Sequence, residues 1–184
     1  GESPAPFLIT IAVTGGIGLV MWRVRAKSGG MTARDGFLIV GLSWIAMSLF
    51  GALLFVLTGD IPNYIDALFE TISGLTTTGA SVVTAPEEMT RGGMFWRLFT
   101  HWIGGMGILV FVLAVLPMSG NRSMHIMRAE VPGPTVGKLV PRIRKTASIL
   151  YLLYIALTLV EMVLLIAGGM SFYDALLHAF ATAG

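Results

Sequence analysis

The sequence predicts an all-α integral membrane fold made of repeated units. Each unit is a full span, a short helix that dips into the bilayer, a polar turn and a second span. Three observations carry this. The 184 residues are 55% hydrophobic and 12% charged, with a mean hydropathy of +0.81, about half the charge share of a soluble domain. Several apolar runs reach the ~20 residues that cross a hydrocarbon core. Ten of the 12 Lys and Arg residues fall in two clusters, at positions 23–34 and 122–145.

The elements follow in chain order. Phe7 to Met21 or Trp22 is a first apolar stretch, short for a span when read from Phe7 and closed by Arg23, Arg25 and Lys27. Ser28-Gly29-Gly30 is a turn. Gly36 to Leu57 is a full span, entered through Arg34 and Asp35 and left through Thr58-Gly59-Asp60. Asn63 to Leu75 reads as a helix of about three turns, with Asn63 as N-cap after Pro62. It is too short to cross and ends in a polar Thr run. Ala85 to Gly93 is a polar loop holding Pro86, Glu87 and Glu88. Phe95 to Pro117 is a span containing Gly104, Gly105 and Gly107. Ser119 to Lys145 is a long basic loop, Ala147 to Ala167 a further span, and Tyr173 to Gly184 a second short helix. Gly1 is not an initiator Met and Gly184 falls inside an apolar segment, so the expectation is a fragment cut at both ends.

Charge fixes the topology. Cytoplasmic loops carry the excess of Lys and Arg. Arg23, Arg25, Lys27 and Arg34 share a side with Arg122, Arg128, Lys138, Arg142, Arg144 and Lys145 only if residues 58–94 make an even number of crossings. A re-entrant hairpin supplies that; a full span there does not. The basic loops are then cytoplasmic, and the Thr run opens outward. Arg91 and Arg97 are the two exceptions.

The unit recurs. Asp66-Ala67-Leu68 returns as Asp174-Ala175-Leu176, an offset of 108 residues, and at that offset the span Gly36 to Leu57 overlies Arg144 to Leu165. Both copies run in one direction, so their symmetry axis lies along the membrane normal. That geometry suits a pore rather than an inverted-repeat carrier.

The chemistry concentrates at Thr76-Thr77-Thr78-Gly79. Irregular backbone at membrane depth is tolerated where it lines a polar cavity or is buried in protein. A dehydrating cation needs several oxygens at close range, and consecutive carbonyls of an extended loop supply them. Gly79 permits the backbone angles that turn carbonyls inward. The preceding short helix aims its partly negative C-terminus at the loop. An ordinary Thr/Gly turn after a buried helix is the competing reading.

Other residues carry less. Glu70 and His178, equivalent at the 108-residue offset, either shape the field at the outer mouth or hydrogen-bond to nearby backbone or to neighbouring repeats. Asp66 and Asp174 complement helix N-termini, and with Asp60, Glu87 and Glu88 raise the local cation concentration outside. Glu161, an acid inside an apolar span, is open between a functional and a pairing role. His101 is a packing residue. Gly104, Gly105 and Gly107 permit close helix approach. With no cysteine, disulfides and thiolate metal sites are excluded. Neither His101 nor the serines show the spacing of a nucleophile and its base, so the chain is read as not an enzyme.

Four stretches resemble the TrkH/KtrB branch of the potassium transporter superfamily that includes the plant HKT proteins. They are Ser73-Gly74-Leu75-Thr76-Thr77-Thr78-Gly79-Ala80, Trp102-Ile103-Gly104-Gly105-Met106-Gly107-Ile108, Arg128-Ala129-Glu130-Val131-Pro132-Gly133-Pro134 with Pro141-Arg142-Ile143, and Asp174-Ala175-Leu176 to Ala181-Thr182-Ala183-Gly184. The resemblance implies potassium-channel-like span–pore helix–filter–span repeats around one pore, incomplete in this chain. Residues 1–33 would end a leading helix pair with its cytoplasmic turn. Residues 34–118 would form the first repeat with its filter, 119–145 the cytoplasmic loop, and 146–184 the first half of a second repeat. It further implies K⁺ as the transported ion, held at Thr76, Thr77, Thr78 and Gly79, with no organic cofactor. Gly184 would start the second filter. A Gly at position 79 goes with potassium and a Ser with sodium, so a sodium-preferring or Na⁺/K⁺ cotransporting relative is the alternative. The implied partners are a second copy of the chain, a cytoplasmic nucleotide-binding regulatory ring of the TrkA/KtrA type, and membrane lipid, with no nucleic acid. The place is a bacterial or archaeal cytoplasmic membrane. The Pro-Gly-Pro stretch at Arg128 to Pro134 is expected to dock or gate against the ring.

Overall fold

A computed structural model describes residues 3–23, 33–107 and 139–184. Among them every regular element is helical. The chain forms two compact units, Gly1–His101 and Trp102–Gly184. The expected turn at Ser28-Gly29-Gly30, the end of the Phe95-to-Pro117 span and the Arg128-to-Pro134 stretch lie outside the described residues.

The first unit contains α1 (Ala5–Arg23), α2 (Ala33–Thr58), α3 (Tyr64–Leu75), a 3-10 turn at Pro86–Glu88 and the start of α4, which is helical over residues 91–107. The second holds the rest of α4, then α5 (Leu139–Ala167) and α6 (Phe172–Ala183). Among the described residues, three helices are long and apolar enough to cross a bilayer, at Ala5–Arg23, Leu38–Thr58 and Ser148–Ala167. The chain is thus an integral membrane protein. Their apolar side chains point in all directions. Leu8, Leu19 and Trp22 on α1, Leu42 and Ile45 on α2, and Leu152 and Leu164 on α5 are exposed. In water that would be an error; in lipid it is the solvent-facing surface. The hydroxyls of Thr10, Thr14, Ser43, Ser48 and Thr158 donate to carbonyls one turn back in their own helices, which satisfies them without water.

The short helices differ from the long ones. α3 and α6 are each 12 residues long and amphipathic. Asn63 caps α3, its side chain accepting from Ile65 N at 2.9 Å. Ser171 caps α6, accepting from Asp174 N at 3.2 Å and donating to the Asp174 carboxylate at 2.7 Å. Asp66 and Asp174 sit in the first turns, where the helix dipole favours an acid. Before each short helix, a glycine in left-handed conformation ends the long one: Gly59 at φ 82 and Gly169 at φ 96.

Two boundaries differ from expectation. α4 begins at residue 91, inside the stretch expected to be loop up to Gly93. Gly92-Gly93 reads as a breaker, but Thr90 caps the helix, its hydroxyl accepting from Gly93 N at 3.0 Å. Glycine is required at 93, because a Cβ there would overlap the Asp60 carboxylate. α5 begins at Leu139, inside the expected basic loop. Pro141 falls in its first turn, where the missing N–H forfeits no helical bond.

The core of the first unit is Ala52, Phe55, Ile61 and Ala67, packed by Tyr64, Leu68, Val83 and Trp96. α2 and α3 approach closely at Gly51, where a Cβ would lie 2.8 Å from Thr71 Cγ2. The carbonyl of Gly51 accepts from Trp96 Nε1 of α4 at 3.0 Å. One glycine thus seats α3 and α4 against α2. In the second unit, α5 packs on α6, and the Trp102 ring of α4 lies tilted against Tyr154 and Phe180, with centroids 5.8 and 5.2 Å apart.

Candidate ion-binding loop

α3 ends in a Schellman motif. Thr78 N donates to Ser73 O and Thr77 N to Gly74 O, both at 2.9 Å, while Thr76 N donates to Ile72 O at 2.9 Å. The position that closes such a motif is left-handed and usually glycine. Here it is Thr77, at φ 55, a β-branched residue where the left-handed region costs on the order of 1–2 kcal/mol. The surrounding bonds over-determine it. Thr76 Oγ1 donates to Ile72 O at 2.8 Å and lies 2.8 Å from Thr78 Oγ1.

The chain then turns through Gly79, at φ 75. A Cβ there would meet nothing within 4 Å, so glycine serves the backbone angle and not the space. Thr76, Thr78 and Gly79 are exposed and Thr77 is half-buried. The N–H groups of Thr76, Thr77 and Thr78 are spent on α3, whereas none of the described hydrogen bonds ends on the carbonyl oxygens of Thr76, Thr77, Thr78 or Gly79. The loop is therefore a run of unengaged acceptors following a helix C-terminus.

Downstream, one carboxylate holds the chain. Glu70 is 2% exposed. Its oxygens accept from Ser81 Oγ at 3.0 Å, from Val82 N at 3.0 Å and from Arg97 Nε at 2.5 Å. Ser81 Oγ in turn accepts from Val83 N at 3.0 Å. Of the two readings of Glu70, hydrogen bonding to nearby backbone is the one the geometry bears out. Ser81 and Arg97 were missed as site neighbours. The signal was present for Arg97: a basic residue away from both basic clusters and inside an apolar helix needs a partner.

Other expected residues are placed as follows. Asp60 accepts from Thr90 N at 2.8 Å and from Thr90 Oγ1 at 2.7 Å, fastening the end of α2 to the start of α4. Asp60, Asp66 and Glu88 also line an open cavity of about 380 Å³ with Val82 and Val83. Glu87 is exposed beside it. His101 is half-buried beside Gly74, in keeping with packing. Gly105 allows α5 to approach, since a Cβ would lie 2.5 Å from the Tyr154 hydroxyl. Glu161 is half-buried on α5, and His178 is exposed on α6. Gly184 caps α6, its N–H donating to Phe180 O at 3.1 Å. It follows α6 as Thr76 follows α3.

A family model described as TrkH, cation transport protein, matches residues 5–182. The chain belongs to the TrkH family. Its similarity to curated relatives extends over nearly all of it. The Trk system potassium uptake protein TrkH of Halomonas elongata is 41% identical over 179 residues, 96% of this chain and 37% of that protein. The protein of the same name in Escherichia coli K12 is 41% identical, with 96% and 36% covered. Trk system potassium uptake protein TrkG of the same organism is 35% identical, with 96% and 37% covered. Among solved structures, the crystal structure of the potassium transporter TrkH from Vibrio parahaemolyticus aligns with a TM-score of 0.76 at 37% identity, over 96% of this chain and 35% of that one. The chain thus spans little more than a third of the length of the relatives it matches.

Proposed function

We propose that the chain is part of the ion-conducting membrane subunit of a potassium uptake system, and that its Thr76–Gly79 loop is one segment of the selectivity filter. The observation that carries this is the row of carbonyl oxygens at Thr76, Thr77, Thr78 and Gly79 left without internal donors, while their own N–H groups at 76–78 are locked onto α3. Such carbonyls replace the hydration shell of a cation in a pore. The C-terminal end of α3 adds a partial negative charge behind them. The names of the relatives, all potassium uptake proteins, support K⁺ as the ion.

α3 is then a pore helix and residues 59–90 a re-entrant hairpin between α2 and α4. α5 and α6 begin a second such unit, with Gly184 at the start of its filter. The matching cap positions and equal lengths of α3 and α6 support the repeat. K⁺ passes as cargo, with catalysis playing no part. The remaining filter segments, a second copy of the chain and a cytoplasmic nucleotide-binding ring complete the assembly in a bacterial or archaeal cytoplasmic membrane. Arg128 to Pro134 is the contact proposed for the ring.

The test is Gly79→Ser in the full-length protein, reconstituted in vesicles. The Ser side chain has room, but φ 75 is unfavourable for it, so the carbonyl at 79 should reorient. The K⁺ over Na⁺ permeability ratio is expected to fall by about tenfold, a change of ~1.4 kcal/mol in relative binding. An unchanged ratio rejects the filter reading. A ratio that already favours Na⁺ in the unsubstituted protein identifies the sodium-preferring alternative.

A further inference from the structure

The carbonyl loop is pinned at both ends, and the two pins differ in kind. At its start, backbone bonds from Thr76, Thr77 and Thr78 fasten it to α3. At its end there is no backbone ladder. Residues 81 and 82 are held by one side chain, Glu70, which reaches from the middle of α3 to Ser81 Oγ and Val82 N. Between the pins stand Gly79 and Ala80, which make no hydrogen bond among the described residues. The position of the Gly79 carbonyl therefore follows from where Glu70 holds Ser81.

Glu70 is itself held from the far side. Its side chain is 1% exposed and meets Arg97 of α4, whose side chain is 17% exposed. A buried carboxylate needs both a countercharge and filled lone pairs. Arg97 supplies the charge; Ser81 and Val82 fill the remaining acceptor sites. The three elements α3, α4 and the loop exit are thereby joined at one carboxylate.

We propose that Glu70 and Arg97 are positioning residues for ion discrimination, setting the loop geometry from behind through Ser81. This rests on the filter reading above. The residues touch no ion; they act by fixing the carbonyls that do. The chemistry requires a carboxylate of glutamate length at position 70. Glutamine keeps the size but replaces one acceptor with a donor that faces Arg97 or the Val82 N–H, and leaves the guanidinium without its countercharge.

The experiment uses the full-length protein in vesicles and reads the K⁺ over Na⁺ permeability ratio, which depends on filter geometry and not on how much protein folds. Four proteins are compared: unsubstituted, Gly79→Ser, Glu70→Gln and Ser81→Ala. Glu70→Gln is expected to lower the ratio by about tenfold, the loss of one charged hydrogen bond. Ser81 is exposed, so Ser81→Ala leaves the ion pair and the fold in place, and keeps the test decisive if Glu70→Gln does not fold. It should lower the ratio by about threefold. If Gly79→Ser lowers the ratio while Ser81→Ala and any folded Glu70→Gln keep it, the positioning role is wrong and the filter reading stands. If Gly79→Ser also keeps it, both fall.

Discussion

Gly74 of α3 lies directly against Thr100 of α4, so close that a Cβ on Gly74 would overlap the Thr100 hydroxyl. Thr100 is 2% exposed, and its hydroxyl donates back to Arg97 O at 2.6 Å. The contact fixes the distance between the last turn of α3 and the helix that carries Arg97. Both ends of the carbonyl loop inherit that distance.

Gly74→Ala should therefore destabilise the protein by about 1–3 kcal/mol, the cost of overpacking a filled contact. Gly41→Ala is the control. Gly41 sits mid-helix on α2 with nothing within 4 Å of a Cβ, and alanine there should be neutral or stabilising by up to about 1 kcal/mol. Thermal melting of the purified full-length protein in detergent distinguishes them. Equal melting temperatures for the two variants would show that α3 and α4 are not in contact at Gly74.

Asp60 and Thr90 make the second fastening. Asp60→Ala removes both acceptors of the Thr90 N–H and hydroxyl and should cost about 1–3 kcal/mol. Asp60→Asn retains one oxygen and should cost less than half as much. Hydrogen exchange at the amides of residues 90–94 should accelerate in the alanine variant. If exchange there is unaltered, α4 does not depend on this cap.

In the second unit, Gly105 and Tyr154 form a coupled pair. The Tyr154 hydroxyl donates to Trp102 O at 3.0 Å and fills the space beside Gly105. Gly105→Ala alone should cost about 1–3 kcal/mol by overpacking, and Tyr154→Phe alone about 0.5–1.5 kcal/mol for the hydrogen bond. Combined, they should cost less than their sum, because removing the hydroxyl frees room for the new methyl. Strict additivity in a melting-temperature cycle would refute the contact.

Much of this architecture was legible in the residues. The spans follow from unbroken apolar runs, and structure places helices over all of those it describes. The short helix α3 was legible almost to the residue, since Asn63 is a strong cap and Thr76 begins a polar run. The 108-residue offset carried over to the caps, Asn63 and Ser171, and to the helix ends. These are local features, set by side-chain polarity and by backbone groups within one turn.

Tertiary structure decided what holds the loop. Glu70 meets Val82 across 12 positions and Arg97 across 27, and Asp60 meets Thr90 across 30. No periodicity links such pairs; they meet only because Gly51 and Gly74 bring three helices together. The start of α4 was misread for the same reason, since Gly92-Gly93 breaks a helix by propensity, while Thr90 and Asp60 secure it by contact. Thr77 shows it most plainly: its sequence forbids nothing, and only the closing bonds of α3 drive a β-branched residue to φ 55. The sequence by itself determined which segments enter the membrane, because burial in lipid is a property of each residue. The positions of the carbonyl oxygens were decided by contacts between segments, because a loop without its own ladder takes its shape from whatever grips its ends.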